Sequence, residues 1–591
     1  MRESYWGRYW RRRRSRRSFL IGGAALAAGS AGLVAVGCGD DDDDDAPSEP
    51  QQPAAEETEA AATEAPAATE AAAPADGPMP GGTFRQSKTQ VDDGIDPGLK
   101  VINNNEILAR IYNHTHLYKV STNEFLFDAA TAMEQPDNTT IVFPLRSGMT
   151  FHHDGSAVTA EDVSSTWSRF PALLADQGSQ VNEANWGFMD TITAVDESTA
   201  RVDLKAPAAS APVLMAATSY GIVSKALLDQ QANGNVQELD AGAGPYIIEQ
   251  RDSAGVALAR YPDYYAHENP STHFLEGAPY IDRHETRIIV DRAAVKAAFF
   301  AGDIDYIPAI ADSIEFEEFT GDDRFVAKEV ASTEARFLAY DNIKFVDKRA
   351  RQAVSYAIDY DAMIATLYAG DGVYDGPVGQ ALPGFALDQE TLKSYRVFDP
   401  QKARELWEAS GIEVDHIRIE SSIDPRGSTM AEFLARQMEE NLGVTAEPLI
   451  HDVTTYVARA REPIKQWELF VVPYNASTTP EIYNMTMMNP DAFAGVSWSF
   501  GTDQPDASLV ANAQKLIDLT AAQAQEVDPD LRLQKMEEMQ LFALEELVPG
   551  INLPVPGHSW VVYNSRLGSF PEDDVLLGGL LNRTHDMYIK G

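Results

Sequence analysis

A single cysteine, Cys38, stands in a chain of 591 residues, which excludes an internal disulfide framework and a cysteine-rich metal site. Basic residues are scarce as well: 47 Lys and Arg face 90 Asp and Glu, a formal charge of -43. Eight of the arginines sit within residues 1–37 beside one Glu, so the remainder of the chain carries -50. A surface of that sign repels a phosphate backbone and excludes nucleic acid as a partner. It reads first as a solubilising surface and second as a salt-screened means of steering cationic solutes. Catalytic signatures are missing too: there is no Gly-x-Ser-x-Gly elbow, no His-Glu-x-x-His, no P-loop and no complete dinucleotide fingerprint. Gly242-Ala-Gly244 is half of one, and Pro245 would spoil a helix start meant to cradle phosphate. His152 and His153 are adjacent, and adjacent residues of a strand point to opposite faces, against a shared metal. No catalytic residue, metal site or cofactor is assigned, and the chain is not read as an enzyme.

Long apolar runs are few. Residues 19–36 lack charge, are rich in Ala, Gly and Leu, and follow an Arg-rich start, so residues 1–37 read as an export signal outside the fold. Ser15-Arg16-Arg17-Ser18-Phe19-Leu20 resembles the twin-arginine signal, with Arg16 and Arg17 as its signature and Ile21 in place of the frequent Lys. Ala35-Val36-Gly37-Cys38 resembles a lipobox, in which Cys38 becomes the lipidated first residue; Ala35 stands where Leu is usual. The alternatives are a spectator thiol at Cys38 and an uncleaved membrane anchor, for which the Gly and Ala content makes a poorly apolar span. A tether places the protein outside the cytoplasm, in the periplasm or at the outer face of the cytoplasmic membrane. Residues 38–80 hold six consecutive aspartates, 40–45, then Ala, Glu, Thr and Pro repeats that cannot form a core. As a flexible linker they would span about 40 Å.

What is present is concentrated in residues 134–170. Asp137-Asn138 signals a turn, Ile141, Phe143 and Leu145 alternate on one strand face, Ser147-Gly148 turns again, and Asp154-Gly155 closes a second short strand through Phe151. A helix follows: Thr159 caps it with Asp162, Val158 and Val163 make a hydrophobic staple, and Val163, Thr166, Trp167 and Phe170 continue a buried stripe. This order, with Arg146-x-Gly148, Phe151-His-x-Asp-Gly155 and Thr159-Ala-Glu-Asp-Val163, resembles the extracellular solute-binding proteins of ABC importers, family 5, the peptide and nickel class. The likeness continues through Leu204-Lys-Ala-Pro207, Gly242-Ala-Gly-Pro-Tyr246, Arg260-Tyr-Pro-Asp-Tyr264, Pro279-Tyr-Ile-Asp282, Ala301-Gly-Asp-Ile-Asp305, Asp341-Asn342 and Arg351-Gln-Ala-Val-Ser-Tyr-Ala-Ile-Asp359. It implies an α/β, two-lobed periplasmic-binding-protein-like fold with a hinge of two crossing strands. It also implies a receptor that captures a peptide or similar small solute between its lobes and hands it to ABC permease subunits. A sensory or scaffold protein signalling to a membrane partner is the alternative.

In chain order, residues 81–290 and 556–591 are expected to form lobe one and 291–555 lobe two, with crossings at residues 287–290 and 548–555. Gly242-Ala-Gly-Pro-Tyr246 reads as a tight turn between strands. In lobe two the helix after Asp347 buries Ala350, Ala353, Val354, Ala357 and Ile358, Asp359 caps the next, and Asp399-Pro400 opens another. Residues 469–472 read as a buried strand ending at the cleft.

Recognition in a cleft needs aromatic walls and a few fixed polar groups. The segments that the resemblance brings to the lobe interface carry Tyr340, Asn342, Tyr474, Asn475 and Trp498, with Trp186 a further candidate. Two departures bear on the ligand. Asn113 follows Tyr112 where the family usually has Glu, and after residues 469–472 the chain reads Pro473-Tyr-Asn-Ala-Ser-Thr-Thr-Pro480, without the Trp and Asp of peptide-binding members. A buried ammonium without a carboxylate is costly, so a sugar, a metal complex, a modified peptide or another neutral solute stands beside a free peptide.

Overall fold

The computed structural model describes residues 78–89, 94–99, 105–119, 124–175, 186–231, 236, 238–267, 277–308, 310, 313–382, 384–460, 462, 465–475, 479–480, 507–571 and 584–590. Arg16, Arg17, Cys38, the acidic linker up to residue 77 and Trp498 lie outside the described residues.

Strand β1 (Thr83–Lys88) leads through helix α1 (Asn105–Ile111) to the hairpin β2 (His116–Lys119) and β3 (Glu124–Phe127). Next come β4 (Glu134–Asp137), β5 (Thr140–Pro144), α2 (Ala160–Ser168), α3 (Phe170–Ala175), β6 (Met189–Asp196) and β7 (Thr199–Leu204). These four strands make an antiparallel sheet in the order β4-β5-β7-β6. Ile141 and Phe143 of β5 and Val163, Trp167 and Phe170 of the helices are fully buried, so the alternation and the helical stripe read from the sequence meet in one core. The capping box forms: Asp162 Oδ2 accepts from the Thr159 amide at 2.8 Å and its hydroxyl at 2.9 Å. The second short strand through Phe151 reduces to one bridge, Thr150 with Ala157, around a loop closed by Gly155 N–H donating to Phe151 O.

Two short helices, α4 (Ala211–Leu214) and α5 (Lys225–Leu228), precede β8 (Tyr246–Asp252), β9 (Gly255–Arg260) and β10 (Arg283–Ile288), which join β1 in the order β1-β10-β9-β8. Arg287 and Ile288 thus end a strand paired with Ser87 and Lys88 of β1. Then follow α6 (Arg292–Phe300), β11 (Tyr306–Ile307), α7 (Ser313–Glu317) and β12 (Phe325–Ala331).

From β13 (Glu334–Tyr340) the pattern becomes α/β: α8 (Lys348–Ala357), α9 (Tyr360–Tyr368), β14 (Gly372–Val373), α10 (Gln389–Tyr395), α11 (Pro400–Ser410), β15 (His416–Ser422), α12 (Pro425–Leu442), β16 (Thr445–His451), α13 (Val453–Ala460) and β17 (Leu469–Asn475). Two long helices, α14 (Ala507–Ala524) and α15 (Pro529–Phe542), lead to β18 (Gly550–Leu553), β19 (Val555–Pro556) and β20 (His558–Asn564). The short pair β21 (Leu567–Gly568) and β22 (Tyr588–Ile589) closes the chain. The central sheet has the order β16-β15-β17-β13-β18, with β15, β16 and β17 parallel and β13 antiparallel to β17 and β18.

Core membership divides the molecule. Two buried apolar clusters draw all their members from residues 337–553. The others draw on residues 84–330 together with 560–589. Residues 295–325 pack with Trp560 and Val562, and β11 and β12 both pair with β20. Between the two groups run two antiparallel pairs in line: β12 with β20, Ala331 opposite His558, and β13 with β18, Arg336 opposite Leu553.

Candidate functional site

In an α/β sheet, ligands bind beyond the carboxyl ends of the parallel strands, where helix N-termini converge. Here those ends are Ser422, His451 and Asn475. Asp424 follows Ser422 and caps α12 by accepting from Gly427 N–H at 2.9 Å, and Pro425 fits the first helical turn. The first residue of β13, Glu334, lies opposite Asn475, so the strand entering this half starts at the same edge where β17 ends.

Among the described residues, four charged side chains form one cluster at that edge, beside the pairs that Glu420 makes with His451 and Arg459. Arg336, two residues from Glu334 on the same strand face, donates through Nε to Glu334 at 2.7 Å and through Nη2 to Asp424 at 3.0 Å. Arg426, on the first turn of α12, pairs with the other oxygen of Glu334. Burial works against the Arg336 charge, but Glu334 and Asp424 outweigh it and hold the guanidinium firmly protonated. Burial likewise opposes the Asp424 carboxylate, and Arg336, Ser422 and the Gly427 amide more than offset it, leaving its pKa below the ordinary value. Within this cluster two cations and two anions cancel, so it presents fixed dipoles without net charge. Tyr368 and Tyr456 brace it from beneath, their hydroxyls spent on Pro554 O and Val471 O, each at 2.9 Å.

The candidate residues are distributed unevenly. Tyr474 and Asn475 end β17 at this edge, opposite Ala335 and Glu334, while their side chains lie outside the described residues. Tyr340 and Asn342 belong to the opposite end of the same strands, since Tyr340 pairs with Leu469. Six residues of strand separate the two ends, about 20 Å. Tyr340 is fully buried against Phe345, and its hydroxyl donates to Arg351 O at 3.0 Å; Asn342 is buried in the following turn. The structure therefore does not bring Tyr340 and Asn342 to Tyr474 and Asn475. Trp186 is half-buried three residues before β6, with the Lys205 ammonium 5.8 Å from its ring. Glu334, Arg336, Asp424 and Arg426 were missed in the sequence. The signal was there in Asp424-Pro425, the same cap-and-proline pair read at Asp399-Pro400.

Asn113 finds its complement in the first half. Asp128 is buried; its carboxylate accepts from Asn113 Nδ2 at 2.9 Å, from His114 N–H at 2.7 Å and from Tyr265 OH at 2.8 Å. Burial raises the Asp128 pKa despite these donors. An amide at position 113 suits this site because it donates to a carboxylate that a Glu would repel.

The model of bacterial extracellular solute-binding proteins, family 5, matches residues 127–495, more than half of the chain. Five relatives from Brucella, named as ABC transporter peptide-binding proteins, are 26% identical over 309 residues, 50% of this chain and 54% of theirs. The chain thus spans about half the length of these curated relatives. A periplasmic binding protein from Helicobacter pylori in complex with peptide STSA superposes with a TM-score of 0.70 at 18% identity, over 87% of this chain and 99% of that one. A binding protein from A. tumefaciens in complex with agropinic acid gives 0.70 at 18%, over 86% and 99%. The fold is that of these proteins, and among the described residues no helix is long and apolar enough to cross a membrane. On the family match, this chain belongs to the bacterial extracellular solute-binding proteins, family 5.

Proposed function

We propose that the protein is an extracytoplasmic receptor that captures a small solute between two lobes and delivers it to the permease of an ABC importer. The observation carrying this reading is the edge where β15, β16 and β17 end, rimmed by Glu334, Arg336, Asp424 and Arg426, at the junction where two strand pairs link the halves. Lobe one comprises residues 83–331 and 558–590, and lobe two residues 334–553; strand pairing and core membership support placing the outward crossing at residues 332–333 and the return at 554–557. Closure follows from contacts that the two lobes make with the solute and with each other, which shift the open–closed equilibrium without covalent chemistry.

The charge-balanced cluster of Glu334, Arg336, Asp424 and Arg426 favours a neutral or zwitterionic solute, because each carboxylate already holds a guanidinium and an added charge would have to displace one. A short peptide and a sugar-like or opine-like molecule both fit this description. Cys38, lipidated, would tether the mature chain through its acidic linker to the outer face of the membrane; the mass of the mature N-terminus tests this.

Thermal-shift screening against peptides, oligosaccharides, opines and metal complexes tests the receptor reading. Tyr474→Ala and Trp498→Ala are each expected to weaken the best hit roughly tenfold or more while leaving the solute-free melting temperature in place. Equal loss of stability and affinity would assign both side chains to packing instead of recognition.

A further inference from the structure

Two hydrogen bonds join the halves away from the crossing strands themselves. The amide of Ala209 donates to Ala524 O, the last residue of α14, at 2.8 Å, and Arg532 Nη2 on α15 donates to Ser210 Oγ at 2.7 Å. Ala211 and Met215, beside the first pair, pack in the β4–β7 core. Leu509, Leu516, Met536 and Met539 of α14 and α15 pack in the core of the other half, with Phe337 and Phe470.

The Arg532 guanidinium is built in. It is 1% exposed, lies 5.2 Å over the Phe385 ring, and its Nε donates to Gln523 Oε1 at 3.3 Å. Gln523 is itself fully buried and donates to Thr520 O at 3.0 Å. An arginine so held by its own lobe presents one nitrogen across the boundary in a fixed direction, so little side-chain freedom is lost when the far contact forms. The segment that receives it is also tied inward, because Pro212 O accepts from His116 Nε2 at 2.6 Å.

We propose that Arg532, Ser210 and the Ala209–Ala524 backbone pair form a clasp that sets the population of the closed form, with Arg532 a positioning residue for solute capture. The proposal rests on the two-lobed receptor reading. Apparent affinity scales with the fraction of molecules in the binding-competent form, so a clasp tunes affinity without touching the solute. One charge-assisted hydrogen bond lost corresponds to about a tenfold change in the closed-to-open ratio.

The test compares the full chain with Arg532→Gln and Ser210→Ala by small-angle scattering and amide hydrogen exchange, without added solute. In both variants the radius of gyration is expected to rise, and exchange at the Ala209 amide to speed up about tenfold, while β13 and β17 keep their protection; Ser210→Ala, which leaves the packing of Arg532 on Phe385 in place, also keeps its melting temperature. Unchanged exchange at Ala209 with unchanged scattering would overturn the clasp. So would a general loss of protection through α14 and α15, which would make Arg532 a local packing residue. If Arg532→Gln fails to fold, Ser210→Ala carries the comparison alone. The receptor reading fails separately: it falls if no peptide, sugar or metal complex alters the scattering of the unsubstituted chain, whatever the variants do.

Discussion

His116 shows at the residue scale how burial fixes a protonation state. Pro212 O can only accept, so His116 Nε2 carries the proton at that 2.6 Å contact, and Nδ1 accepts from the Thr115 hydroxyl at 3.0 Å. Burial lowers the His116 pKa to about 4. The unfolded chain, with an ordinary value of about 6.5, binds this proton first, so the stability is fully present above pH 6.5 and is lost as pH falls toward 4, up to about 3 kcal/mol. His114, also buried, is shifted the same way, whereas the raised pKa of Asp128 works in the opposite sense. The contribution of His116 therefore shows best as a difference. His116→Gln, which keeps a donor for Pro212 O, is expected to flatten the slope of unfolding free energy against pH between 6.5 and 4, measured by urea titration. Parallel curves for the two proteins would mean that His116 is not the group that titrates.

At the scale of elements, local signals were legible and pairing was not. The α8 stripe of Ala350, Ala353, Val354 and Ala357 is fully buried as its spacing requires, and Asp347, Asp359 and Asp399 each cap the helix they precede. Such features depend on residues within one turn of each other. Why Arg351 should stand in the strongest motif was not readable: it donates to Phe345 O, Val346 O, Leu547 O and Val548 O, two of them almost 200 residues away. The placement of Tyr340 and Tyr474 at opposite strand ends likewise depends on the antiparallel register of β13 and β17, which no local pattern states. Gly242-Ala-Gly244 was read as a turn between strands, but its glycines serve close approach to the end of α1. Gly244 N–H donates to Ile111 O at 3.0 Å, and a Cβ at Gly242 would stand 1.7 Å from that same oxygen. Gly242→Ala is accordingly expected to destabilise the protein by about 2 kcal/mol or more, because backbone on both sides must move. A melting temperature equal to that of the unsubstituted chain would show that the segment yields freely.

For the whole molecule, composition and motif order were enough to indicate an α/β protein in two halves, whereas the points of crossing depend on which distant strands pair. Residues 291–331 begin with a helix-turn-strand pattern like that of the second half, yet their apolar side chains pack with Trp560 and Val562, from beyond the return crossing. The consequence is that residues 334–553 form one uninterrupted stretch containing a complete five-stranded sheet and two apolar clusters with no member from elsewhere. Its ends are neighbours: β13 and β18 are adjacent strands, with Arg336 opposite Leu553, so cutting at the crossings leaves no strand unpaired in the sheet and no core open. What the cut removes is the clasp at Ala524 and Arg532, at the margin, while the pairing of β14 with β19 stays within the fragment. A fragment of residues 332–557, which retains β19, is therefore expected to fold alone and to unfold in a single cooperative transition by circular dichroism. The complementary chain, residues 78–331 joined by a short linker to 558–591, should do the same less stably, since β12 and β20 must find each other across the new joint. A fragment 332–557 without a cooperative transition would show that the second half depends on the first for its core, and would move the boundary between the lobes.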